Sequence, residues 1–196
     1  MLRRPPIRHD AATPSWLTSD ALNSNLNLAA RSSGSITTYR LALAATGEYT
    51  SYHGGTDGAI SAMVTTISRV NAIYERDLAV RMELIANNHL LVYNNAATDP
   101  YDPSDASALL SDNQSNLDAV IGNNNYDIGH VFSTEGGGLA NLGVVCLSPF
   151  KAQGETGSRD PIADPFDIDY VAHEIGHQFG ANHTFNGTTG SCGGGN

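Results

Sequence analysis

Val171-Ala172-His173-Glu174-Ile175-Gly176-His177-Gln178-Phe179-Gly180-Ala181-Asn182-His183 is the stretch whose reading decides the fold. It holds H-E-x-x-H extended to H-E-x-x-H-x-x-G-x-x-H. On a helix, His173 and His177 stand one turn apart on one face. Two imidazoles at that spacing can grip one Zn2+ ion. Gly180 can adopt a left-handed conformation, end the helix and turn the chain back, which brings in His183 as a third ligand. Three nitrogen ligands leave a fourth tetrahedral position for water, the mark of a catalytic site rather than a structural one. Glu174, next to the first ligand, is placed to act as general base on that water.

The rest of the segment supports a helix. Ile168, Val171, Ile175 and Phe179 recur at helical spacing and form one apolar stripe, while His173 and His177 fall on roughly the opposite side. Asp167 or Asp169 is expected to cap the N-terminus, with Pro165 at the start of the helix.

Composition narrows the class. The chain has 196 residues, enough for one domain with a real core, and is 40% hydrophobic but only 15% charged. Net charge is −10. The first 34 residues hold four arginines against two aspartates, so the remainder carries about −12. A domain this acidic is a poor partner for nucleic acid or an anionic membrane, and no apolar run is long enough to span a bilayer. Residues 1–30 lack the apolar core of a signal peptide. The two cysteines, Cys146 and Cys192, show no Cys-x-x-Cys spacing, which speaks against a structural zinc knuckle. In a secreted protein they can pair with each other, or either can pair with cysteines beyond Asn196.

Residues 1–34, with Pro5, Pro6 and Pro14, read as a linker or propeptide remnant without a stable fold, and residues 35–196 as the folded unit. Within it, residues 36–45 read as a first strand. A helix opens at Thr56-Asp57 and buries Ile60, Met63 or Val64, Ile67, Val70 or Asn71, and Tyr74. Residues 80–86 and 89–93 read as strands two and three, residues 107–121 as a helix, and residues 126–133 as strand four. Gly136-Gly137-Gly138 is a flexible bend before a fifth strand over residues 139–146. Residues 151–164 read as a long polar loop. His9, His53 and His89 read as surface or structural histidines. His130 reads as a core residue, since three better ligands exist. The Asp-rich loop 99–105 has oxygens suited to Ca2+ but reads more simply as a solvated loop. Strands alternating with helices make a mixed α/β (α+β) domain.

The long histidine motif, the stretch Gly137-Gly138-Leu139-Ala140 and Cys146 upstream of the histidines resemble the metzincin zinc endopeptidases, in particular the reprolysin (adamalysin-like) branch and its secreted bacterial members. The resemblance spans about residues 36–196. It implies a zincin-like fold: a twisted, mixed five-stranded sheet with an antiparallel edge strand above the zinc. It also implies one catalytic Zn2+ held by His173, His177 and His183, with Glu174 as the base, and a secreted, monomeric enzyme acting on proteins or peptides. Substrate would lie along Leu139, Ala140, Asn141, Leu142 and Gly143, because an exposed strand edge offers unpaired N–H and C=O groups.

The family has a methionine turn beyond the third histidine. Here Met1, Met63 and Met82 all precede the motif, and the chain ends 13 residues after His183. The expectation is a chain truncated before the C-terminal subdomain and weakened in activity by itself. Two other functions share the motif. A non-catalytic binding module would be free to lose Glu174, which is intact. A zinc hydrolase acting on non-peptide substrates would need neither the edge strand nor the third histidine.

Overall fold

The computed structural model describes residues 35–135 and 137–183. Five strands form one sheet: β1 (Thr37–Ala45), β2 (Val80–Leu84), β3 (Ile128–Ser133), β4 (Gly138–Ala140) and β5 (Gly154–Gly157), in the order β2-β1-β3-β5-β4. β2, β1, β3 and β5 are parallel, and β4 runs antiparallel to β5 at the edge. Helices α1 (Gly47–Tyr52), α2 (Thr56–Leu78) and α3 (Ala106–Val120) pack on this sheet. A last helical segment combines α4 (Ala163–Phe166), a π-helical turn (Asp167–Ala172) and α5 (His173–Gln178). The fold is therefore a mixed α/β sheet with an antiparallel edge strand and an active-site helix.

Strand alternation divides the interior into two cores. Leu41, Leu43 and Ala45 of β1, with Ile128 and Phe132 of β3, face α2 and the last helical segment. Ala42, Ala44 and Val131 face Leu109 and Leu117 of α3. Burial on both faces suits a parallel sheet. On α2 the buried residues are Ala59, Met63, Thr66, Ile67, Val70, Asn71 and Tyr74, whereas Val64 is exposed.

Residues 89–93 are not a strand. Asn88–Leu91 is a 3-10 turn, and only Val92 bridges to Ala45. The buried carboxamide of Asn88 takes the place of the missing ladder: its Oδ1 accepts from Leu43 N–H (2.8 Å) and its Nδ2 donates to the Leu43 carbonyl (2.9 Å). Asn71 does the same for Met82 on β2, at 2.9 and 2.8 Å, which ties α2 to that strand.

The fifth sequence-predicted strand also shortens. Pairing ends at Ala140, because the N–H groups of Gly143, Val144 and Val145 turn to the carbonyls of His177 and Gln178 (2.9–3.2 Å). Instead, residues 151–164 contain a strand, β5, buried at all four positions. Its sequence, Gly-Glu-Thr-Gly, has no apolar side chain to betray it, and its glycines make room for neighbours. A Cβ on Gly154 would lie 2.4 Å from Gln178 Cδ and 2.7 Å from His130 Nδ1.

Neither Asp167 nor Asp169 caps the helix, which starts earlier, at Ala163. Asp167 lies within the π turn, 3% exposed, and its carboxylate accepts from Thr66 Oγ1 (2.7 Å) and Arg69 Nη1 (2.6 Å) of α2. Arg69 also pairs with Asp164. The π turn explains how Phe166 and Val171, five residues apart, are both fully buried. In a regular α-helix they would diverge by about 140°.

Gly154→Ala is expected to cost about 1–3 kcal/mol of stability by forcing Gln178 and His130 apart. Urea denaturation should show a lower midpoint with an unchanged slope.

Candidate active site

The last helical segment is held from two sides. At its middle, Tyr74 Oη donates to the Ala172 carbonyl at 2.6 Å, directly before His173. At its end, Gly180 N–H donates to the His177 carbonyl (2.8 Å) and Ala181 N–H to the Gly176 carbonyl (2.9 Å). Those two bonds form a Schellman cap, and Gly180 has the positive φ (100°) that the cap requires. The turn places the Ala181 carbonyl 2.6 Å from His177 Nδ1. A carbonyl only accepts, so Nδ1 carries the proton, and in the neutral ring the Nε2 lone pair faces away from that bond.

That lone pair faces two more imidazoles. His177 Nε2 lies 3.0 Å from both His173 Nε2 and His183 Nε2, which are 2.9 Å from each other. Among the described residues these three form the one group of histidine, cysteine or carboxylate side chains able to share a metal ion. Tetrahedral Zn–N bonds of about 2.0–2.1 Å put ligand nitrogens roughly 3.3 Å apart, within a few tenths of an ångström of the spacing here. Three nitrogens converging without a cation would set lone pair against lone pair, so the donor set fits zinc. Burial and the neighbouring His177 and His183 lower the His173 pKa, which keeps the ring in the neutral form that binds metal.

Glu174 lines the same cleft and is 6% exposed. Burial raises its pKa, while the charge of His177 acts in the opposite direction. Its carboxylate rests on the backbone of β4: a Cβ on Gly138 would lie 2.4 Å from Glu174 Oε1. Gly138, read from the sequence as part of a bend and of the edge-strand stretch, is thus also a close-approach position.

The cleft holds about 240 Å3 and is lined by Gly138, Leu139, Ala140, Leu142, Asn182, Glu174 and the three histidines. Of the five residues expected to bind substrate, Leu139, Ala140 and Leu142 face it. Just past the end of the ladder, Asn141 N–H donates to the Gln153 carbonyl (3.0 Å), and Gly143 N–H donates to the His177 carbonyl (3.0 Å). Among the described residues no strand pairs with the outer edge of β4. Cys146 is exposed, and Cys192, its proposed partner, lies outside the described residues, as do His9 and residues 1–34. In the Asp-rich loop, Asp99 accepts from Gly47 and Tyr101 N–H, Asp102 from Ser104, and Asp105 caps α3.

Two buried groups lie behind the cleft: His130, which the sequence places in the core, and Glu155, which escaped that reading. His130 is fully buried, with Nδ1 2.8 Å from Gln178 Oε1 and Nε2 2.9 Å from Thr156 Oγ1. Gln178 Nε2 donates to the Gly129 carbonyl, so its Oε1 accepts from His130 Nδ1–H, and Thr156 donates to Nε2. Burial lowers the His130 pKa to about 4. Glu155 on β5 is also fully buried, and neither of its oxygens has a hydrogen-bond partner among the described residues. Burial, with the nearby charge of Glu174, raises its pKa to about 8. A polar residue in a short polar segment gave no signal of burial.

A mixed sheet that ends in an antiparallel edge strand above a helix-borne triad of histidines and a carboxylate defines a metal-dependent hydrolase. Residues 35–196 match the family model for metallopeptidase family M12B, reprolysin-like, and the chain belongs to that family. Membership makes it a metallopeptidase, implies dependence on zinc and implies protein substrates. No curated protein matches the chain. Among the described residues no helix is long and apolar enough to cross a membrane.

Two expected outcomes follow from this geometry. Gly138→Ala displaces the Glu174 carboxylate and is expected to lower kcat about 10²-fold or more, the scale set by general-base catalysis, with zinc binding retained. Steady-state kinetics beside metal analysis checks it. The buried pair sets opposite pH limbs of stability. Unfolded His130 takes up a proton below its ordinary 6.5 while the native ring resists until about 4, so stability is lost as pH falls through that window. Native Glu155 keeps its proton to about 8 while the unfolded side chain releases it near 4.5, so stability falls as pH rises through that window. The two windows overlap between 4.5 and 6.5, where the contributions offset, so the melting temperature of the metal-free protein should fall chiefly below 4.5 and above 6.5, and Glu155→Gln should flatten the alkaline limb and uncover the full acid one.

Proposed function

We propose that the protein is a secreted zinc endopeptidase that hydrolyses internal peptide bonds, with residues 35–196 in its catalytic domain and residues 1–34 as a linker or propeptide segment. The observation that carries this reading is the meeting, in one cleft, of three imidazole nitrogens, the Glu174 carboxylate and the open edge of β4. His173, His177 and His183 hold the ion. When bound, zinc polarises the scissile carbonyl and lowers the pKa of the attacking water.

The chain's own residues do the remainder. An extended substrate adds to the free edge of β4 by main-chain hydrogen bonds, which orients it without regard to side chain. Glu174 takes the proton of the attacking water and passes it to the leaving nitrogen. Its burial beside the cleft suits both halves of that task, since a carboxyl held above its ordinary pKa takes up a proton more readily than a solvated one and still exchanges it. The Ala181 carbonyl fixes the His177 ring and its tautomer.

Glu174→Gln should retain one equivalent of zinc and lose about 10²–10⁴-fold in turnover of a protein substrate such as casein. Chelation should abolish turnover of the wild type, and added zinc should restore it. Undiminished cleavage by Glu174→Gln would overturn the role of the base. A zinc-loaded protein that cleaves nothing would favour a non-catalytic binding module.

A further inference from the structure

A second cleft opens at the carboxyl ends of the parallel strands and shares no lining residue with the histidine cleft. Strand order reverses between β1 and β3. The chain leaves β1 through α2 on one face to reach β2, then returns through α3 on the other face to β3. In open parallel sheets, the crevice outside the strand ends at such a reversal is where ligands bind. Here it is lined by Gly47 and Glu48 just after β1, Thr134 and Glu135 just after β3, and Arg159 just after β5. It holds about 560 Å3, against about 240 Å3 for the histidine cleft, and so falls in the size range of ligand-binding clefts.

Charge decides what this crevice can receive. Glu48 Oε2 is buried and has no hydrogen-bond partner among the described residues. A buried carboxylate oxygen without a donor is costly, and a cationic donor satisfies it best. Glu135 lines the same cleft, Asp99 sits against Gly47 and accepts its N–H at 2.6 Å, and Asp160 lies 3.5 Å from Tyr52 Oη on the lining. Arg159 is the one cation on that lining; it is exposed and pairs with none of these carboxylates. The chain as a whole carries −10, so a basic group approaches down a favourable potential. Tyr52, 43% exposed, offers its ring to the charge or the methylene stem of a lysine or arginine.

Position ties the crevice to the substrate. Glu135 lies three residues before Gly138, the first residue of β4. Because β4 is antiparallel to β5, a peptide on the free edge of β4 that continues past Gly138 runs towards the carboxyl ends of β5, β3 and β1. β1 is three strand spacings from β4, about 14 Å, and an extended chain rises about 3.3 Å per residue. Glu48 is thus at least about four residues along from the substrate residue beside Gly138.

We propose that the crevice bounded by Glu48 and Glu135 is a distal recognition site for a lysine or arginine side chain of the substrate, about four or more residues from the scissile bond. This inference rests on the peptidase reading above and adds a class of substrate that it favours. The test uses the zinc-loaded full chain and quenched fluorescent peptides of one neutral sequence, in which a single lysine is moved outward on either side of the cleaved bond. One position at least about four residues out should raise kcat/KM about 5-fold, the upper range for a partly exposed charge pair, and added salt should erase the gain. Glu48→Gln and Glu135→Gln should each lower kcat/KM for that lysine peptide more than for its neutral parent, and Arg159→Gln should raise it. Binding of the same peptides to the Glu174→Gln chain, read by fluorescence anisotropy, should follow the same order and reads recognition apart from turnover. Chelator-sensitive cleavage with no lysine preference at any distal position, or with one that neither glutamate variant alters, would overturn the inference and leave the peptidase reading standing. Absence of cleavage, together with lysine-dependent binding that Glu48→Gln removes, would sink the peptidase reading and keep the cation site.

Discussion

The carboxamide of Gln178 fastens the metal-binding helix to the sheet. Its Nε2 binds the Gly129 carbonyl of β3, and its Oε1 binds His130 on the same strand, whose other nitrogen reaches Thr156 of β5. Its backbone carbonyl accepts Val144 and Val145 from the turn after β4. One residue, next to the ligand His177, therefore touches two strands and the turn beyond a third. Each bond is buried, where an unpaired polar group would cost about 1–3 kcal/mol, so the network holds only as a complete set. Gly154 completes it by having no side chain.

The π turn is the second device that sets the site. It lets Phe166 and Val171 share the core at a spacing that a plain α-helix would not allow, and it carries Asp167 to Thr66 and Arg69 of α2. Tyr74, about two turns of α-helix beyond Thr66, donates to the Ala172 carbonyl. The helix is thus pinned to α2 immediately before His173 and to the sheet immediately after His177. Between the pins lie the two ligands and Glu174, with no freedom to shift along the helix axis without breaking one set of bonds or the other. Pre-organisation of this kind is what a metal site requires of its surroundings.

The sequence was legible where chemistry and periodicity coincide. The histidines, Glu174, Gly180, the alternation of β1 and the apolar face of α2 all follow from residue types at a fixed spacing. What escaped was the part built by polar side chains acting in place of backbone. The amides of Asn88 and Asn71 stand in for strand neighbours, and nothing in a single sequence distinguishes them from surface asparagines. β5 escaped because its four residues are chosen for the partners they admit rather than for hydrophobicity. The edge strand was read too long for the same reason: Leu142, Val144 and Val145 continue an apolar run, yet their turn serves the end of the helix and not the ladder.

That exchange has a consequence for how the cleft works. β4 is only three residues long, and a strand so short at an open edge would be a weak template alone. Its register is held from below by β5 and from beyond by the turn bonded to His177 and Gln178. Any peptide that pairs with β4 therefore sits on a frame whose far end is the backbone of a metal ligand. Distance between the edge of β4 and the histidine cluster is set by a few main-chain hydrogen bonds and by Gly143 lying against Gly180, not by long flexible side chains. Gly138 sets the remaining distance, from strand to carboxylate, by letting Glu174 lie against β4 itself. The edge strand, the carboxylate and the histidine cluster are thus spaced by backbone, the part of the chain least able to drift, as the proposed reaction on one bond requires.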